Sequence, residues 1–558
     1  MKENHCGQME DAVSEQFFAS ISTMHEAACY LLEQDFGDGK QFDAVTSDLF
    51  TMAAKMEHLL EEQLGPGYQD LSLTKILQSV KDTLSRLRIR KADEAYRLSK
   101  LQFELIPLIE ESFQHARYWL WAVTGPERMK QYREEVPSLC GNYYIDQAEE
   151  TGEYPYEAAF VVIGYNKLDY TKMCVESLLR NIPEGLRYEL ILVNHGSSDG
   201  TREYFESIRP AKQLDIAVNG AGFDVFRRIV ESQYTFLITN DVVVGYQAIQ
   251  NMLNCIRSDP KIAFVVPTTP NTSNFQTIPV QYSSWDELEQ FLRRNNISDP
   301  FRWEQRTRLC DPIAVWRSAV FFGSKGIFDN SYLGAATDLA FPDDRRSLLL
   351  RRRGYKLMLA KDAYCHHFGS VTIKEDVAKR KEAETEFYLK GRQAFYRNFG
   401  IDPWGTGFCY DAAFMQCVVE ENHAHAEILG INCGMGSNSL KIKEQLKEYW
   451  HNTDVRLCNI TDDPAFLTDL DGISDEAKLI TSITDLKQFL HGKRFQYVVW
   501  EEPFLTEQLF ISVFEACRER LRVGGQLFLK LTEQREDSLL QVHLTMTDIA
   551  DNWILLQI

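Results

Sequence analysis

Between residues 157 and 245 the apolar residues come in short, nearly continuous runs separated by helical patterns, and this alternation constrains the chain more than any other feature. "AAFVVIG" (158–164) precedes the helical stretch "YTKMCVESLLRN", which Asp169 can cap. "YELILV" (188–193) precedes a polar turn, "NHGSSDGT", and a helix through "REYFESI". "LDIAVN" (214–219) precedes a helix near "FRRIVES" (226–232), and "YTFLIT" closes the series. Apolar runs of this length suit strands covered on both faces. Their β-α-β-α-β-α-β order implies a mostly parallel sheet with helices on both sides.

Ligands of such sheets bind beyond the carboxyl ends of the strands. Three of those ends carry polar clusters: Tyr165-Asn166, "NHGSSD" (194–199) and Thr239-Asn240-Asp241. In "YTFLITNDVVVG" (234–245) the run breaks on the Thr-Asn-Asp triplet and resumes with three valines. An acid at the end of a buried strand is placed to hold a divalent cation, although it could also cap a turn.

The flanks read differently. From residue 1 to about 150 the pattern is helical, with stripes at Phe50, Ala53, Met56, Leu60 and Leu64 and again from Leu73 to Leu87. This region could be a cap, an oligomerisation surface or an acceptor-docking module, so a homo-oligomer stays open. The segment "FGIDPWGTGFCYD" (399–411) marks a boundary, and a strand, glycine loop and helix follow in "AEILGINCGMGSNSLKIKEQL". The expected division is therefore 1–150, 151–410 and 420–558.

A formal net charge of −21 argues against a general affinity for nucleic acid or anionic membrane. Twelve cysteines occur without a CxxC pair, and "MKENHCGQMEDAVSEQ" is too polar for a secretory signal. A cytoplasmic protein with reduced thiols is expected. No apolar run approaches the roughly 20 residues of a membrane span.

Residues 157 to about 400 resemble a family 2 glycosyltransferase of GT-A fold. The resemblance rests on "VVIGYN", "LILVNHGSSDGT", "FLITNDVVV" and "FPDDRRSLLLRRRGYKLMLAKDAYCHHFGS", in that order. It implies transfer of a sugar from a nucleotide-sugar donor, a UDP-sugar being expected, to an acceptor hydroxyl, with inversion and with metal assistance. The family usually has Asp-x-Asp where this chain has Thr239-Asn240-Asp241, so Asp241 is the expected ligand of Mn²⁺ or Mg²⁺. Thr239 and Asn240 would reach the ribose or a metal-bound water. Tyr165 and Asn166 match nucleotide contacts at the first strand. Asn194 stands where the family generally has an acid facing the base. Asp199 either contacts the nucleoside or caps the helix opening at Gly200.

The resemblance also places a catalytic base in an acidic pair that opens a helix about a dozen residues before a Gly-Tyr. Counting back from Gly354-Tyr355 gives Asp343, with Asp344 in reserve. A general base must take the acceptor proton as the hydroxyl attacks. Arg345, Arg346 and Arg351–Arg353 follow and read as a solvated face. His367 in "CHHFGS" matches a late family motif and is a candidate second metal ligand. Trp303, Asp311 and Trp316 are candidates to line the acceptor or sugar pocket.

From about 424 onward the chain resembles an S-adenosylmethionine-dependent methyltransferase of the Rossmann-like class, on "ILGINCGMG" and "CRERLRVGGQLFLKL". Gly430 and Asn459 stand where that class has acids gripping the cofactor, and Asn432 replaces the first loop glycine. S-adenosylmethionine is therefore not expected as a cofactor, and protein interaction or acceptor docking is the expected use. The whole reads as α/β: a helical N-terminal domain, a central GT-A sheet and a C-terminal Rossmann-like domain. The acceptor would be a protein, such as a flagellin, or a surface glycan precursor. A bifunctional glycosyltransferase/methyltransferase and a non-catalytic nucleotide-sugar-binding scaffold are the alternatives.

Overall fold

In the computed structural model, the chain opens with the helices α1 (Asp11–Glu33), α2 (Lys40–Leu64), α3 (Ser72–Ile89), α4 (Glu94–Lys100) and α5 (Ile106–Leu120). The strands and helices β1 (Tyr156–Gly164), α6 (Leu168–Asn181), β2 (Tyr188–His195), α7 (Thr201–Ile208), β3 (Lys212–Ile216) and β4 (Ser232–Thr239) follow. Next come α8 (Ala248–Ser258), β5 (Ile262–Thr268), α9 (Trp285–Asn295), β6 (Trp303–Arg306), β7 (Ile313–Arg317), α10 (Pro342–Arg352) and β8 (Lys356–Tyr364). Helix α11 (Glu384–Phe399) leads into the last region: β9 (Ala426–Ile431), α12 (Ser437–Trp450), β10 (Val455–Thr461), β11 (Glu476–Leu479) and α13 (Ile483–Leu490). That region ends with β12 (Phe495–Trp500), α14 (Phe510–Arg518), β13 (Leu521–Lys530), β14 (Met546–Ala550) and β15 (Trp553–Gln557). The structure describes residues 11–33, 39–65, 68, 72–89, 94–122, 125, 127–128, 131, 151–217, 229–322, 341–369, 384–405, 407–416, 419, 423–532, 535–536, 546–550 and 552–557.

Two compact units result. The first comprises residues 1–244, 312–339 and 370–376, and the second 245–311, 340–369 and 377–558. The first carries the helical region and strands in the order β3-β2-β1-β4-β7. The pairs among β1 to β4 are parallel, whereas β7 runs antiparallel to β4. Order reverses between β1 and β4, and that is where a doubly wound sheet opens a crevice at its carboxyl ends. Phe160, Val161 and Val162 of β1 and Ile191, Leu192 and Val193 of β2 are fully buried, as two-sided coverage requires.

Several local expectations change. Helix α6 is capped from the next loop by Asp199, whose Oδ2 accepts from the Leu168 N–H at 2.8 Å; Asp169 lies inside the first turn. The third strand begins at Lys212 and ends at Ile216. Residues 226–228 of the helix expected at 226–232 lie outside the described residues, and Ser232 already opens β4.

The helices α3 and α4 grip the edge of this sheet. Lys100 sends its ammonium to Glu104 at 2.7 Å and to Asp215 at 2.9 Å, and Arg86 pairs with Glu104. The Ala217 N–H donates to Ser79 Oγ at 3.0 Å. Buried charges are tolerated only when paired and hydrogen-bonded in this way.

The second unit holds β5, β8 and β6, with β5 parallel and β6 antiparallel to β8. It also holds a seven-stranded sheet in the order β11-β10-β9-β12-β13-β15-β14. Strands β9 to β13 pair in parallel; β15 is antiparallel to β13 and to β14. Apolar clusters cover its two faces, one around Trp500 and Phe514 and the other around Tyr497 and Trp553. The described cysteines are free thiols. Among the described residues no helix is long and apolar enough to cross a membrane.

Candidate active site

In the first unit, the strand tips are laced to one another. Past β1 the backbone turns left-handed at Asn166 and Lys167, with φ of 54° and 61°. The Asn166 N–H donates to Ser197 Oγ at 2.8 Å, and the Ser198 N–H returns to Asn166 Oδ1 at 2.9 Å. Asn240 donates through Nδ2 to Asn166 O at 2.9 Å and to Thr171 Oγ1 at 2.8 Å. Asp199 Oδ1 accepts from Thr201 N and Oγ1, so its carboxylate serves the starts of both α6 and α7. Of the two uses weighed for Asp199, capping is the one its bonds display. Tyr165 is half-buried beside these turns.

Asn194 is buried, and its groups point into the protein: Oδ1 accepts from Ser197 N at 3.0 Å, and Nδ2 donates to Asp215 Oδ1 at 3.0 Å. Asp215 is its cross-strand neighbour on β3. Burial works to raise the Asp215 pKa, but Lys100 and Arg86 outweigh it and hold the carboxyl below its usual range. An amide at 194 thus meets a carboxylate that an acid would repel. Sequence reasoning missed Asp215; its only signal was an acid inside the third apolar run.

Strand β4 stops at Thr239, whose hydroxyl bonds Asp241 Oδ1 at 2.7 Å and whose N–H donates to Pro312 O at 2.9 Å. Asn240 and Asp241 form the turn, and a short strand resumes at Val242. Asp241 is 6% exposed. The interrupted apolar run is therefore one strand ending and another beginning around an oriented carboxylate.

In the second unit, Pro342 opens α10 with Asp343 and Asp344 in its first turn. Proline at the first helical position and acids beside the N-terminal dipole both favour starting a helix there. The two acids differ sharply. Asp344 is locked against Arg308, with its side chain 7% exposed, and burial drives its pKa up to about 6 despite that arginine. The Asp343 side chain is 22% exposed, and its Oδ1 lies 2.5 Å from Arg346 Nη2. Arg346 also reaches Asp311 Oδ1 at 2.5 Å. Burial raises the Asp311 carboxyl well above its usual range, and the charge on Asp343 adds to this. Asp343 goes the other way: against burial, Arg346 and hydrogen bonds from Asp311 and Cys310 hold it below the ordinary range. The two carboxyls, both bonded to Arg346, are thus pushed in opposite directions.

Only part of the arginine run is a solvated face: Arg353 is exposed, whereas Arg346 and Arg351 are 4% and 2% exposed and bond Asp311, Asp343, Met435 and Asp469. Alternation of charge and apolar residues gave no sign of this, because α10 is enclosed on more than one side.

His367 is buried and its carbonyl accepts from Asn271 Nδ2 at 3.3 Å. Its neighbour His366 is bonded to Tyr282 and packs edge-on to Phe368, and burial lowers its pKa. Trp316 is fully buried and Trp303 bonds Asp362 at 2.9 Å, so both serve the core. Among the described residues no group of three or more His, Cys, Asp or Glu side chains gathers as a metal cluster. What the Thr239–Asp241 turn offers is a single oriented carboxylate. That donor fits Mg²⁺ or Mn²⁺, which commonly take one or two carboxylates and complete their shell with substrate phosphates and water.

The C-terminal sheet has the same kind of switch point, between β9 and β12, and its glycine loop packs closely on Gly407 on one side. Residues 431–440 are buried throughout. A Cβ on Gly434 would fall 2.1 Å from Gly407 O, and the Met435 N–H already donates to that oxygen at 2.9 Å. Asn459 turns inward, accepting from Ser439 Oγ at 2.7 Å and donating to Ser474 Oγ at 2.8 Å. A Cβ on Gly430 would sit 1.9 Å from Asn459 Oδ1, so no acid fits at 430. Asp462, just past β10, bonds Asn432 and the Leu505 N–H. A cavity of about 320 Å³ borders the loop itself, lined among others by Gly407, Asn432, Gly434, Thr461, Asp462 and Glu502.

Residues 159–305 match the glycosyl transferase family 2 profile. Asp343 and His367 lie beyond the matched stretch. Among solved structures, the chain is similar to the crystal structure of GalNAc-T7 with UDP, GalNAc and Mn²⁺, at 11% identity and a TM-score of 0.30 over 44% of this chain and 52% of that one. It is also similar to the mannosyltransferase PcManGT from Pyrobaculum calidifontis in complex with GDP-Man and Mn²⁺, at 13% identity and a TM-score of 0.29 over 49% of this chain and 75% of that one. The chain thus spans about half the length of the first of these. No curated protein matches it.

Proposed function

We propose that this chain is a nucleotide-sugar-dependent glycosyltransferase that inverts the anomeric centre. The observation that carries the reading is the switch point of the first unit, where the tips of β1 and β4 are bonded to each other beside an oriented Asp241, within the stretch matched by the family profile. Asp241 would hold a divalent cation. A bound cation supplies charge neutralisation to the departing diphosphate. Tyr165, Asn166, Asn194 and Asp199 shape the nucleoside side, the last three by holding the loops through the bonds given above. Asp343 takes the proton as the acceptor O–H bond breaks. The acceptor oxygen bonds the anomeric carbon, and the carbon–oxygen bond to the diphosphate breaks. Arg346 keeps Asp343 ionised and ready for that proton.

The acceptor in this reading is a protein hydroxyl, for instance on a flagellin, or a surface glycan precursor, and the donor a UDP-sugar. The C-terminal domain is a Rossmann-like, methyltransferase-type fold without methyltransferase activity. Its strand order, renumbered from β9, begins 3-2-1-4-5 as doubly wound nucleotide-binding sheets do, while Gly434, Asn459 and Met435 are spent on internal contacts. Radiolabelled transfer from a panel of nucleotide sugars with Mn²⁺ tests the main reading. Turnover should collapse in Asp241→Ala and Asp343→Asn, with nucleotide binding kept in the latter; full activity in both would remove the mechanism. Micromolar S-adenosylmethionine binding by calorimetry would instead favour a bifunctional enzyme.

A further inference from the structure

Helix α10 spans only 11 residues, between Pro342 and Arg352. A helix this short is marginal by itself in water, so tertiary contacts must fix where it lies. Arg308 and Asp311 hold Asp344 and Arg346 in its first turns, and residues after 384 meet it at both ends. Before the first turn, Phe341 is buried in one apolar cluster with Leu348, Phe395, Ile401, Phe408 and Met435. In the last turn, Arg351 donates to Met435 O at 3.3 Å and to Asp469 O at 3.1 Å. Arg352 donates to Asp469 Oδ2 from Nε at 3.3 Å and from Nη2 at 3.2 Å. Asp469 is fully buried in the short helix Leu467–Asp471.

We infer that the joining segment and the C-terminal domain together form a clamp that sets the position of the Asp343 helix, with Arg351 and Asp469 as positioning residues for the transfer reaction. Attachment at both ends of a rigid rod fixes its rotation as well as its height, and Asp343 rides near one end. The close packing of the glycine loop follows naturally: Met435 belongs to that loop, and its carbonyl and side chain are contacts of the clamp. This inference rests on the glycosyltransferase reading for its kinetic consequence, but not for the structural one.

The test uses the full chain and two variants. Asp469→Asn removes the charge that both arginines share, and Arg351→Lys keeps a charge but loses the planar fork. Amide hydrogen exchange should accelerate by about tenfold or more across residues 342–352 in each, with strands 156–239 unchanged. The kcat should fall by about 10²-fold while KM for the donor stays within about twofold, as expected for a displaced rather than a missing base. The loss should be smaller in Arg351→Lys, a graded rescue. Unchanged protection of 342–352 overturns the clamp, as does loss of protection that spreads equally to 156–239. If Asp469→Asn does not fold, the same readouts on Arg351→Lys decide. Wild-type chain that turns over no nucleotide sugar would defeat the glycosyltransferase reading alone, and the exchange measurement would still decide the clamp.

Discussion

The molecule contains two parallel sheets with the same kind of switch point, and they treat their carboxyl ends in opposite ways. At β1 and β4 the tips are tied to each other from below, and Tyr165, Asn166 and Thr239 stay partly exposed. At β9 and β12 the loop from 431 to 440 is buried entirely and its glycine packs on Gly407. At the first the polar groups bond one another across the strand tips; at the second the glycine loop packs on Gly407 on one side and borders a cavity of about 320 Å³ on the other. A shared architecture therefore says where a ligand can bind, while the partners of individual N–H and carboxylate groups say whether the place is vacant.

The sharpest way to break this comparison lies on the open side. Asp343→Asn should reduce transfer by about 10² to 10⁴-fold, the range for a lost general base, with nucleotide affinity retained by titration calorimetry. Against burial, Arg346 holds Asp343 below the usual carboxylate range, so the acid limb of the wild-type pH profile should lie below that range.

The closely packed side predicts a loss of stability rather than of chemistry. Gly434→Ala forces a Cβ onto the Gly407 backbone at a φ of +53°, where L residues are rarely found. Strain and displacement together should cost about 2 to 4 kcal/mol, read from the urea midpoint. Were that loop an open ligand site, the same change would be nearly silent in the ligand-free protein.

A smaller effect separates the two kinds of polar tip. Asn194→Asp installs the family's usual acid, but next to buried Asp215 it replaces a 3.0 Å hydrogen bond with a like-charge contact. A loss of about 1 to 3 kcal/mol is expected, easing at low pH as one carboxyl takes up a proton.

A pH-dependent effect concerns Glu501, just past β12. It is buried, accepts from Asn438 Nδ2 at 2.9 Å, and burial pushes its pKa up to about 8. The folded state thus binds a proton that the unfolded chain has released. The stability this gives is fully present below the unfolded value of about 4.5 and is lost as pH rises through about 8. Wild-type Tm should decline by several degrees from pH 5 to 9, and Glu501→Gln should flatten that part of the curve.

Much of this was legible in the chain. The apolar runs at 158–164, 188–193 and 234–239 became parallel strands because only strands covered on both faces tolerate such continuity. The break at Thr239-Asn240-Asp241 marked a strand end because a buried strand has no partner for those side chains. The acidic pair at 343–344 announced a helix start. The helical stripes of the N-terminal region fell in α2 and α3, with Leu60, Leu73, Val80 and Leu84 fully buried.

Other features depended on residues far apart in sequence. Period and composition cannot show that Asp215 meets Asn194 across 21 positions, or that Arg346 divides its charge between Asp311 and Asp343. They present Asp343 and Asp344 as equivalents, although one is partly exposed beside Arg346 and the other is sealed against Arg308. Nor could they reveal that Arg346 and Arg351 are buried or that Gly407 packs against the loop at Gly434. The physical reason is range: backbone preference and hydrophobic burial act over a few neighbouring positions and so leave a mark in the local pattern. The ionisation of a carboxylate and the vacancy of a loop depend on which distant groups the folded chain brings within about 3 Å.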